Sequence, residues 1–310
     1  LPDGNYRITA TAEDAVGNVS AEATVQDVVI DAVQAGVPVI ASTSLTNDTT
    51  PVISGTAEVG SSVNVTLGSG ANTSTWTVVA TDGRWSIDTG VASTSTAGTG
   101  HTIAVNGANA VSVTATDSAG NVSAAATQTL TVDSAAPTVT ITDDQAAVTV
   151  NGDITFTITF SEEVSGFTAS DITVANGTAG TFTQTSPTTY TLVVTPDAGL
   201  ADNVSVGVAA NIAADLAGNN NTAATTATQA VDTAAPSAPV ITGITTPNSD
   251  STPTITITAE AGSTVTVYAN GAVLAGNITE VSGTFTFTPT AGLPDGNYRI
   301  TATAEDAVGN

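Results

Sequence analysis

Acidic side chains recur in this 310-residue chain at spacings suited to binding a divalent cation. The pattern Asp-x-x-Gly-Asn occurs four times, beginning at Asp14, Asp117, Asp215 and Asp306. A further aspartate lies 16 or 17 residues after the first aspartate of each of the first three patterns, at Asp31, Asp133 and Asp232. Carboxylate and amide oxygens are ligands that hard cations such as Ca²⁺ accept. The two kinds of aspartate are therefore candidate metal ligands.

A glutamate follows the second predicted strand of each unit that contains these aspartates. In a seven-stranded antiparallel sandwich, the loops after the second and sixth strands both lie beside the linker that enters the domain. The sequence therefore predicts three sets of carboxylates, one at each linker. The sets are Asp31, Glu58 and Asp117; Asp133, Glu162 or Glu163, and Asp215; and Asp232, Glu260 and Asp306.

Three carboxylates gathered at one place repel one another unless a cation joins them. The distance from linker aspartate to glutamate is 27 to 29 residues in all three sets, although the surrounding sequences differ. The alternative is that Asp, Gly and Asn serve only as turn residues and that each Glu caps an exposed loop. Matched spacing in three units favours Ca²⁺. We expect it to stiffen the junctions and to lengthen the particle seen by small-angle scattering.

The elements that must position these residues are β-strands. Val, Ile and Thr alternate along the chain, Gly and Pro punctuate it, and continuous helical periodicity is absent. Successive Asp-x-x-Gly-Asn patterns are 103, 98 and 91 residues apart, the size of an immunoglobulin-like sandwich. The predicted fold class is all-β, with tandem immunoglobulin-like β-sandwich domains joined by short Asp/Pro linkers in an extended array.

The same periodicity predicts four segments. Residues 1–31 hold the last two strands of a partial domain, 32–133 and 134–232 are complete domains, and 233–310 lacks its last strand. The sequence LPDGNYRITATAEDAVGN stands at residues 1–18 and again at 293–310. This duplication indicates a longer tandem array. Residues 19–30 have the sequence expected of the missing last strand. We therefore expect either head-to-tail strand donation between chains or a chain that represents one period of a continuous fibre.

Charge and composition argue against several classes of function. The chain has 3 basic and 28 acidic residues, a net charge of −25, and no cysteine. Such a surface repels nucleic acid and anionic membranes, and no apolar run is long enough to span a bilayer. The single histidine, His101, is expected on a surface strand or loop and has no partner for zinc binding or nucleophilic catalysis. The sequence therefore predicts no enzyme.

Few aromatic residues are available to fill the cores. Trp85 is expected in a core, and Tyr6 and Tyr298 stand where a tyrosine corner forms at the start of a penultimate strand. Trp76, with Asp82 and Arg84, is a candidate carbohydrate-stacking patch. The alternative function is therefore a glycan- or host-surface-binding module within residues 32–133.

Several phrases carry a family resemblance: LPDGNYRITATAEDAVGN, AEAGSTVTVYANG, DTAAPSAP and FSEEVSGFTASDITVANGT. They resemble the bacterial Ig-like repeats of giant surface adhesins, the biofilm-associated and type I-secreted repetitive adhesins. The resemblance implies an extracellular stalk that holds a distal binding region away from the bacterial surface, with Ca²⁺ at the domain junctions. It implies linker ligands at Asp31, Asp133 and Asp232, and loop ligands at Glu58, Glu260, Asp117, Asp215 and Asp306. In the second set, the resemblance does not decide whether Glu162 or Glu163 is the loop ligand.

Overall fold

The computed structural model describes residues 1–23, 26–146 and 149–310. Regular structure in these ranges is almost all β-strand, and a single 3₁₀ turn, Ala169–Asp171, is the only helical segment in them. The all-β prediction is confirmed. In the described part of the chain, no helix is long and apolar enough to cross a membrane. The predicted last-strand sequence, residues 19–30, includes Thr24 and Val25, which lie outside the described residues.

Contacts between residues divide the chain into two compact units. The first contains residues 1–136 and 215–219, and the second contains 137–214 and 220–310. The strands of the first unit are β1 (Gly4–Ile8), β2 (Gln26–Ile30), β3 (Val39–Ile40), β4 (Leu45–Thr46), β5 (Val52–Thr56), β6 (Ser62–Ser69), β7 (Asn72–Val79), β8 (Arg84–Asp88), β9 (Ser95–Ala97), β10 (Gly107–Thr116) and β11 (Ala126–Val132).

Two separate sheet systems form the first unit. β1 and β2 pair antiparallel as a two-stranded sheet. The remaining strands form a six-stranded sheet in the order β4-β11-β10-β6-β7-β9 and a three-stranded sheet in the order β3-β5-β8. Alternate residues of the two sheets share one core, in which Val63, Val65 and Leu67 of β6 are fully buried.

The two tryptophans of the first unit are both core residues. Trp85 is 3% exposed, as predicted, and its ring lies against Gly55 of the neighbouring strand. Trp76 is only 9% exposed, and its indole Nε1 donates to the backbone oxygen of Val91 at 2.9 Å. The predicted carbohydrate-stacking patch is therefore wrong. Trp76 shares the inward face of β7 with buried Ser74, because alternate residues of a strand face the same side.

A buried asparagine stands where the tyrosine-corner residue would be in the first sandwich. Asn109 is fully buried, and its Oδ1 accepts hydrogen bonds from His101 Nε2 at 2.9 Å and from the Ala104 amide at 2.7 Å. Its Nδ2 donates to three backbone oxygens, including that of Leu130 at 3.4 Å. His101 lies in a loop, as expected, but is half-buried by this contact.

The second unit contains the remaining fourteen strands of the described residues. They are β12 (Val139–Asp143), β13 (Ile154–Phe160), β14 (Ile172–Ala175), β15 (Gly177–Gln184), β16 (Thr189–Pro196), β17 (Ala201–Val208), β18 (Ala227–Asp232), β19 (Val240–Thr242), β20 (Ile255–Thr258), β21 (Thr264–Ala269), β22 (Ala272–Val273), β23 (Gly276–Val281), β24 (Thr284–Pro289) and β25 (Ile300–Glu305).

These strands form two sandwiches whose four-stranded sheets have corresponding orders and whose three-stranded sheets differ. The earlier one pairs a four-stranded sheet, β12-β13-β16-β15, with a three-stranded sheet, β14-β17-β18. The later one pairs β19-β20-β24-β23 with β22-β21-β25. Four strands against three is the arrangement of immunoglobulin constant-type domains. The predicted tandem immunoglobulin-like sandwiches are confirmed.

Aromatic residues are concentrated in the earlier sandwich of the second unit. Phe160, Phe167, Phe182 and Tyr190 make edge-to-face and stacked contacts, with ring centroids 4.9 to 5.9 Å apart. The later sandwich is filled more sparingly, by Ile255, Ile257, Val265, Val267, Phe285 and Phe287.

Candidate metal centre

The Asp-x-x-Gly-Asn loops share one hydrogen-bonding pattern. In the loop after β10, the Asn121 amide N–H donates to Asp117 Oδ1 at 2.9 Å, and the Asp117 N–H donates to the Asn121 backbone oxygen at 3.1 Å. Gly120 adopts a φ of 95°, a left-handed conformation that favours glycine. The loop thereby fixes the position of the Asp117 carboxylate.

The same pattern keeps three of the loop carboxylates ionised. The pKa values of Asp14, Asp117 and Asp306 all lie below the ordinary 3.8 of an aspartate. The main cause in each loop is the side-chain amide of the following asparagine, which donates to the second carboxylate oxygen at 2.7 to 2.9 Å. These aspartates therefore carry a negative charge at neutral pH and can act as metal ligands.

In three of the four loops, the asparagine also bonds the preceding linker. Asn121 Nδ2 donates to the backbone oxygen of Asp31 at 3.1 Å, and Asn310 Nδ2 donates to that of Asp232 at 3.1 Å. Asn219 bonds the backbone oxygen of Asp133 in the same way, at 2.8 Å. The sequence indicates that the amide oxygens of these asparagines suit a metal, but not that their amide nitrogens bond the linker. Their fixed place, four residues after each loop aspartate, was the signal available in the sequence.

The linker aspartates are oriented by their own backbone. One carboxylate oxygen of each accepts a hydrogen bond from the amide two residues later. The three bonds are Val33 to Asp31 at 3.1 Å, Ala135 to Asp133 at 3.0 Å and Ala234 to Asp232 at 3.0 Å. Such an Asx turn fixes the direction of a side chain at little cost in entropy.

Two of the candidate glutamates stand in equivalent turns after a second strand. The backbone oxygen of Glu58 accepts from Ser61 Oγ, and that of Glu260 accepts from Ser263 Oγ, both at 2.7 Å. Both glutamates are exposed. The Glu58 carboxylate accepts a bond from the Gly36 amide of the linker at 3.3 Å, so this side chain is turned toward the linker.

In the second unit, the three residues of the third predicted set, Asp232, Glu260 and Asp306, all line one cavity of about 460 Å³. Ala261, Gly262 and Ser263 also line it. The chain's three basic residues are all arginines, and none of them lines this cavity. A concentration of carboxylates with no cationic side chain around it is suited to a bound cation, and its oxygen donors suit Ca²⁺.

The second set is divided between the two units. In the first unit, Asp133 and Asp215 have carboxylate oxygens within 4.8 Å of each other, and Asp215 is only 6% exposed. In the second unit, Glu162 and Glu163 follow β13. Glu162 is half-buried, whereas Glu163 is exposed.

Glu163 and the ring of Tyr190 are electrostatically coupled. Burial raises the pKa of the Tyr190 hydroxyl, and the charge of Glu163 raises it further. The charge of Glu163 therefore acts on this tyrosine. Calcium binding by any member of the three sets stays a prediction.

Comparison with known families identifies the domains. Residues 39–134 and 241–310 match one family model described as a bacterial Ig-like domain, and residues 133–231 match a second model with the same description. Together these matches cover both sheets of all three sandwiches. The chain belongs to the bacterial Ig-like domain family.

Similar solved structures are distant in sequence. One comes from a study of host cell surface retention of a 1.5-MDa bacterial ice-binding adhesin: it is 23% identical, the match covers 84% of this chain and 87% of that chain, and the TM-score is 0.37. The I9-I11 tandem from titin is 11% identical, with 84% and 90% covered and a TM-score of 0.30. An ICAM-5 D1-D4 ectodomain fragment is 14% identical, with 97% and 82% covered and a TM-score of 0.31. Comparison with curated protein sequences gave no match.

Proposed function

We propose that this chain is an extender segment of a bacterial cell-surface adhesin, whose junctions are stiffened by Ca²⁺. The observation that carries the proposal is the cavity shared by Asp232, Glu260 and Asp306, which joins a linker residue to two loops of the sandwich that follows it. Repeated bacterial Ig-like domains favour extension as the role, because each domain adds length without needing a binding pocket. An extracellular location at the bacterial surface follows from this role.

The proposed ligands form one set at each junction. They are Asp31, Glu58 and Asp117; Asp133, Glu162 or Glu163, and Asp215; and Asp232, Glu260 and Asp306. Backbone oxygens and water complete the six to eight oxygens that Ca²⁺ takes.

Bound Ca²⁺ would act on both stability and bending. A cation present at a hundred times its dissociation constant stabilises the folded state by about 2.7 kcal/mol. Free linkers are hinges between domains. Each set contains a linker aspartate and two residues of the next sandwich, so a shared cation restrains that hinge.

The test compares the 310-residue chain in Ca²⁺ and in a chelator, by thermal unfolding and by small-angle scattering. We expect Ca²⁺ to raise the melting temperature by several degrees, since about 1 kcal/mol corresponds to roughly 4–8 °C in a domain of this size. We also expect the maximum dimension to increase. Identical melting and scattering in both buffers would overturn the calcium part of the proposal.

Single substitutions test which carboxylates bind the calcium ion. Asp306→Asn and Glu260→Gln keep the size of the side chain but remove the charge, so each should weaken calcium binding to the third set. Asp295→Asn is the matched control, because Asp295 is an exposed aspartate of the same sandwich outside the set. Isothermal titration should show one class of sites lost in the first two variants and retained in the control.

A further inference from the structure

The first sandwich contains a cavity that is separate from the three carboxylate sets. Its volume is about 470 Å³, and pockets for small ligands typically measure about 300–1,000 Å³. Leu67 of β6 and Ser74 and Trp76 of β7 form its inner wall, and all three are buried. Residues 89–93 and 101–103 contribute the other walls. The cavity therefore extends from the surface loops to the hydrophobic core.

The loop walls belong to a connection that is longer than the sandwich requires. β8 and β16 occupy corresponding places in two successive sandwiches, since β8 pairs with β5 and β16 pairs with β13. Residues 197–200 are sufficient to connect β16 to β17. The first sandwich uses residues 89–106 to connect β8 to β10, and β9 lies within this segment. The additional length supplies both loop walls, so the needs of the fold do not account for the cavity.

Buried polar side chains hold the loop walls in place. Trp76 Nε1 donates to the backbone oxygen of Val91 at 2.9 Å, and the His101 amide donates to Ser74 Oγ at 3.2 Å. Asn109 bonds the His101 ring at 2.9 Å. Trp76, Ser74 and Asn109 are only 9%, 7% and 0% exposed. A buried polar group costs free energy unless it is hydrogen-bonded, and these three satisfy that need by fixing the two loops.

The lining of the cavity is polar but uncharged. Hydroxyl side chains of six serine and threonine residues line it. The chain has 28 acidic and 3 basic residues, yet none of the described residues that line the cavity is Asp, Glu, Lys or Arg. An ionic ligand would lose its hydration here without gaining an opposite charge, and the net charge of −25 opposes anions in particular. The lining therefore favours a neutral ligand with hydroxyl groups.

The His101 ring offers this ligand a hydrogen-bond acceptor. Asn109 Oδ1 accepts from His101 Nε2 and from the Ala104 amide, while Asn109 Nδ2 donates to backbone oxygens. Nε2 therefore carries the proton of the neutral imidazole, and Nδ1 is an acceptor. Among the described residues, Nδ1 has no partner. Thr49 and Thr102 also line the cavity, and neither side chain makes a hydrogen bond in the described part of the chain.

We propose that this cavity binds a neutral sugar unit. A sugar has C–H faces that pack against the rings of Trp76 and His101, and hydroxyl groups that both donate and accept. His101 Nδ1 accepts one of these hydroxyl groups, and Thr102 bonds another. This site is distinct from the surface patch excluded above, because neither Asp82 nor Arg84 lines the cavity. The first sandwich is then a carbohydrate-binding module as well as a spacer.

The two tryptophans of the chain allow a direct test by NMR. Trp76 lines the cavity and Trp85 does not, so their indole N–H signals serve as probe and internal control, assigned with Trp85→Phe. The 310-residue chain is titrated with the methyl glycosides of glucose, galactose, mannose and N-acetylglucosamine. We expect at least one of them to shift the Trp76 signal saturably while the Trp85 signal stays in place. No shift of the Trp76 signal with any of the four would overturn the proposal.

Two further ligands test the chemical class. Glucuronic acid adds a carboxylate to a sugar ring, and cyclohexanol keeps a six-membered ring with a single hydroxyl group. We expect both to bind at least about tenfold more weakly than the best glycoside. Equal binding of cyclohexanol would show an apolar site, and equal binding of glucuronic acid would contradict the neutral lining as the basis of selection. An array of neutral oligosaccharides then distinguishes a terminal unit of a surface glycan from a free sugar.

Substitutions at two loop threonines test the position of the site. Thr102→Trp places a large ring at the cavity, and Thr102→Val replaces the hydroxyl with a methyl group at nearly constant size. We expect Thr102→Trp to weaken binding at least about tenfold and Thr102→Val to weaken it several-fold. Thr99→Trp and Thr99→Val are the matched controls, because Thr99 is exposed in the same connection but does not line the cavity. Equal effects at the two positions would place the binding elsewhere.

This test is independent of calcium. None of the proposed calcium ligands lines the cavity, so glycoside binding should be the same in Ca²⁺ and in a chelator. The sugar site can therefore fail while the calcium proposal stands, and the reverse also holds.

Discussion

Asn121 donates its side-chain amide to the backbone oxygen of Asp31, 90 positions earlier in the chain, at 3.1 Å. The same amide donates to Asp117 Oδ2 at 2.9 Å. One asparagine thus connects the loop carboxylate to the linker by hydrogen bonds alone. These two bonds fix the positions of two candidate ligands relative to each other.

The first prediction concerns this asparagine. Asn121→Ala removes both side-chain hydrogen bonds, and a hydrogen bond typically contributes about 0.5–1.5 kcal/mol to stability. We therefore expect the free energy of unfolding to fall by about 1–2 kcal/mol in a chelator, together with weaker calcium binding. Chemical denaturation and calcium titration of the full chain measure the two effects.

Asn18→Ala is the matched control. Asn18 makes the same bond within its loop, to Asp14 Oδ2 at 2.8 Å, but that loop follows no described linker. The control should lose the loop bond and leave calcium binding unchanged. Equal loss of calcium binding in both variants would show that the linker bond has no positioning role.

The second prediction concerns Asn109, which takes the tyrosine-corner position of the first sandwich. Asn109→Ala leaves the His101 ring nitrogen, the Ala104 amide and buried backbone oxygens without their partner. A buried polar group left unsatisfied costs about 1–3 kcal/mol. We expect a loss of about 3 kcal/mol or more in the unfolding free energy of this sandwich.

Asn64→Ala is a suitable comparison, because Asn64 makes a single side-chain bond, from Thr77 Oγ1, at the surface of the same sheet. Its loss should be below about 1 kcal/mol. Denaturant unfolding followed by tryptophan fluorescence reports on this sandwich, since Trp76 and Trp85 both lie in its core. Similar losses in the two variants would contradict the role given to Asn109.

Much of the fold could be predicted from the sequence because its signals are local. Strand alternation, the regular spacing of the Asp-x-x-Gly-Asn loops and the glycine each loop requires all act within a few residues. They were sufficient for the tandem sandwiches. The place of Trp76 was not predictable in this way, because it depends on which face of β7 is turned inward. Ser74 and Thr73 differ too little in polarity to show that face.

The candidate metal site was also predictable only in part from the sequence. The sequence indicates which carboxylates recur, but not that asparagine amides hold them. A side-chain amide can donate or accept, and the choice depends on the groups around it in the folded chain. Sequence spacing also left Glu162 and Glu163 equivalent, whereas in the folded chain Glu162 is half-buried and Glu163 is exposed.

The third prediction concerns close packing at Gly55. A Cβ atom at this position would overlap the backbone oxygen of Val39 and lie 2.7 Å from Trp85 Cζ2. Gly55→Ala should therefore displace the Trp85 ring and destabilise the first sandwich by about 1–3 kcal/mol. Thermal unfolding and the fluorescence maximum of Trp85 measure the effect. Gly36→Ala is the control, because nothing lies within 4 Å of its Cβ, and it should be neutral or slightly stabilising.

The fourth prediction concerns acid. The pKa of Asp117 is lowered chiefly by the Asn121 side-chain amide, against an ordinary value of 3.8. A group whose pKa is depressed in the folded state contributes stability above the unfolded value, and this contribution is lost as the pH falls through the folded value. The contribution of Asp117 to the free energy of unfolding should therefore be complete at neutral pH and disappear as the pH falls below 3.8.

In a chelator, Asp117→Asn should flatten the dependence of unfolding free energy on pH in this acid range, since the titrating group is gone. Asp82→Asn, which replaces an exposed turn aspartate of the same sandwich, is the comparison. If the two variants have the same slope, the loop hydrogen bonds do not hold the Asp117 carboxylate in its charged form.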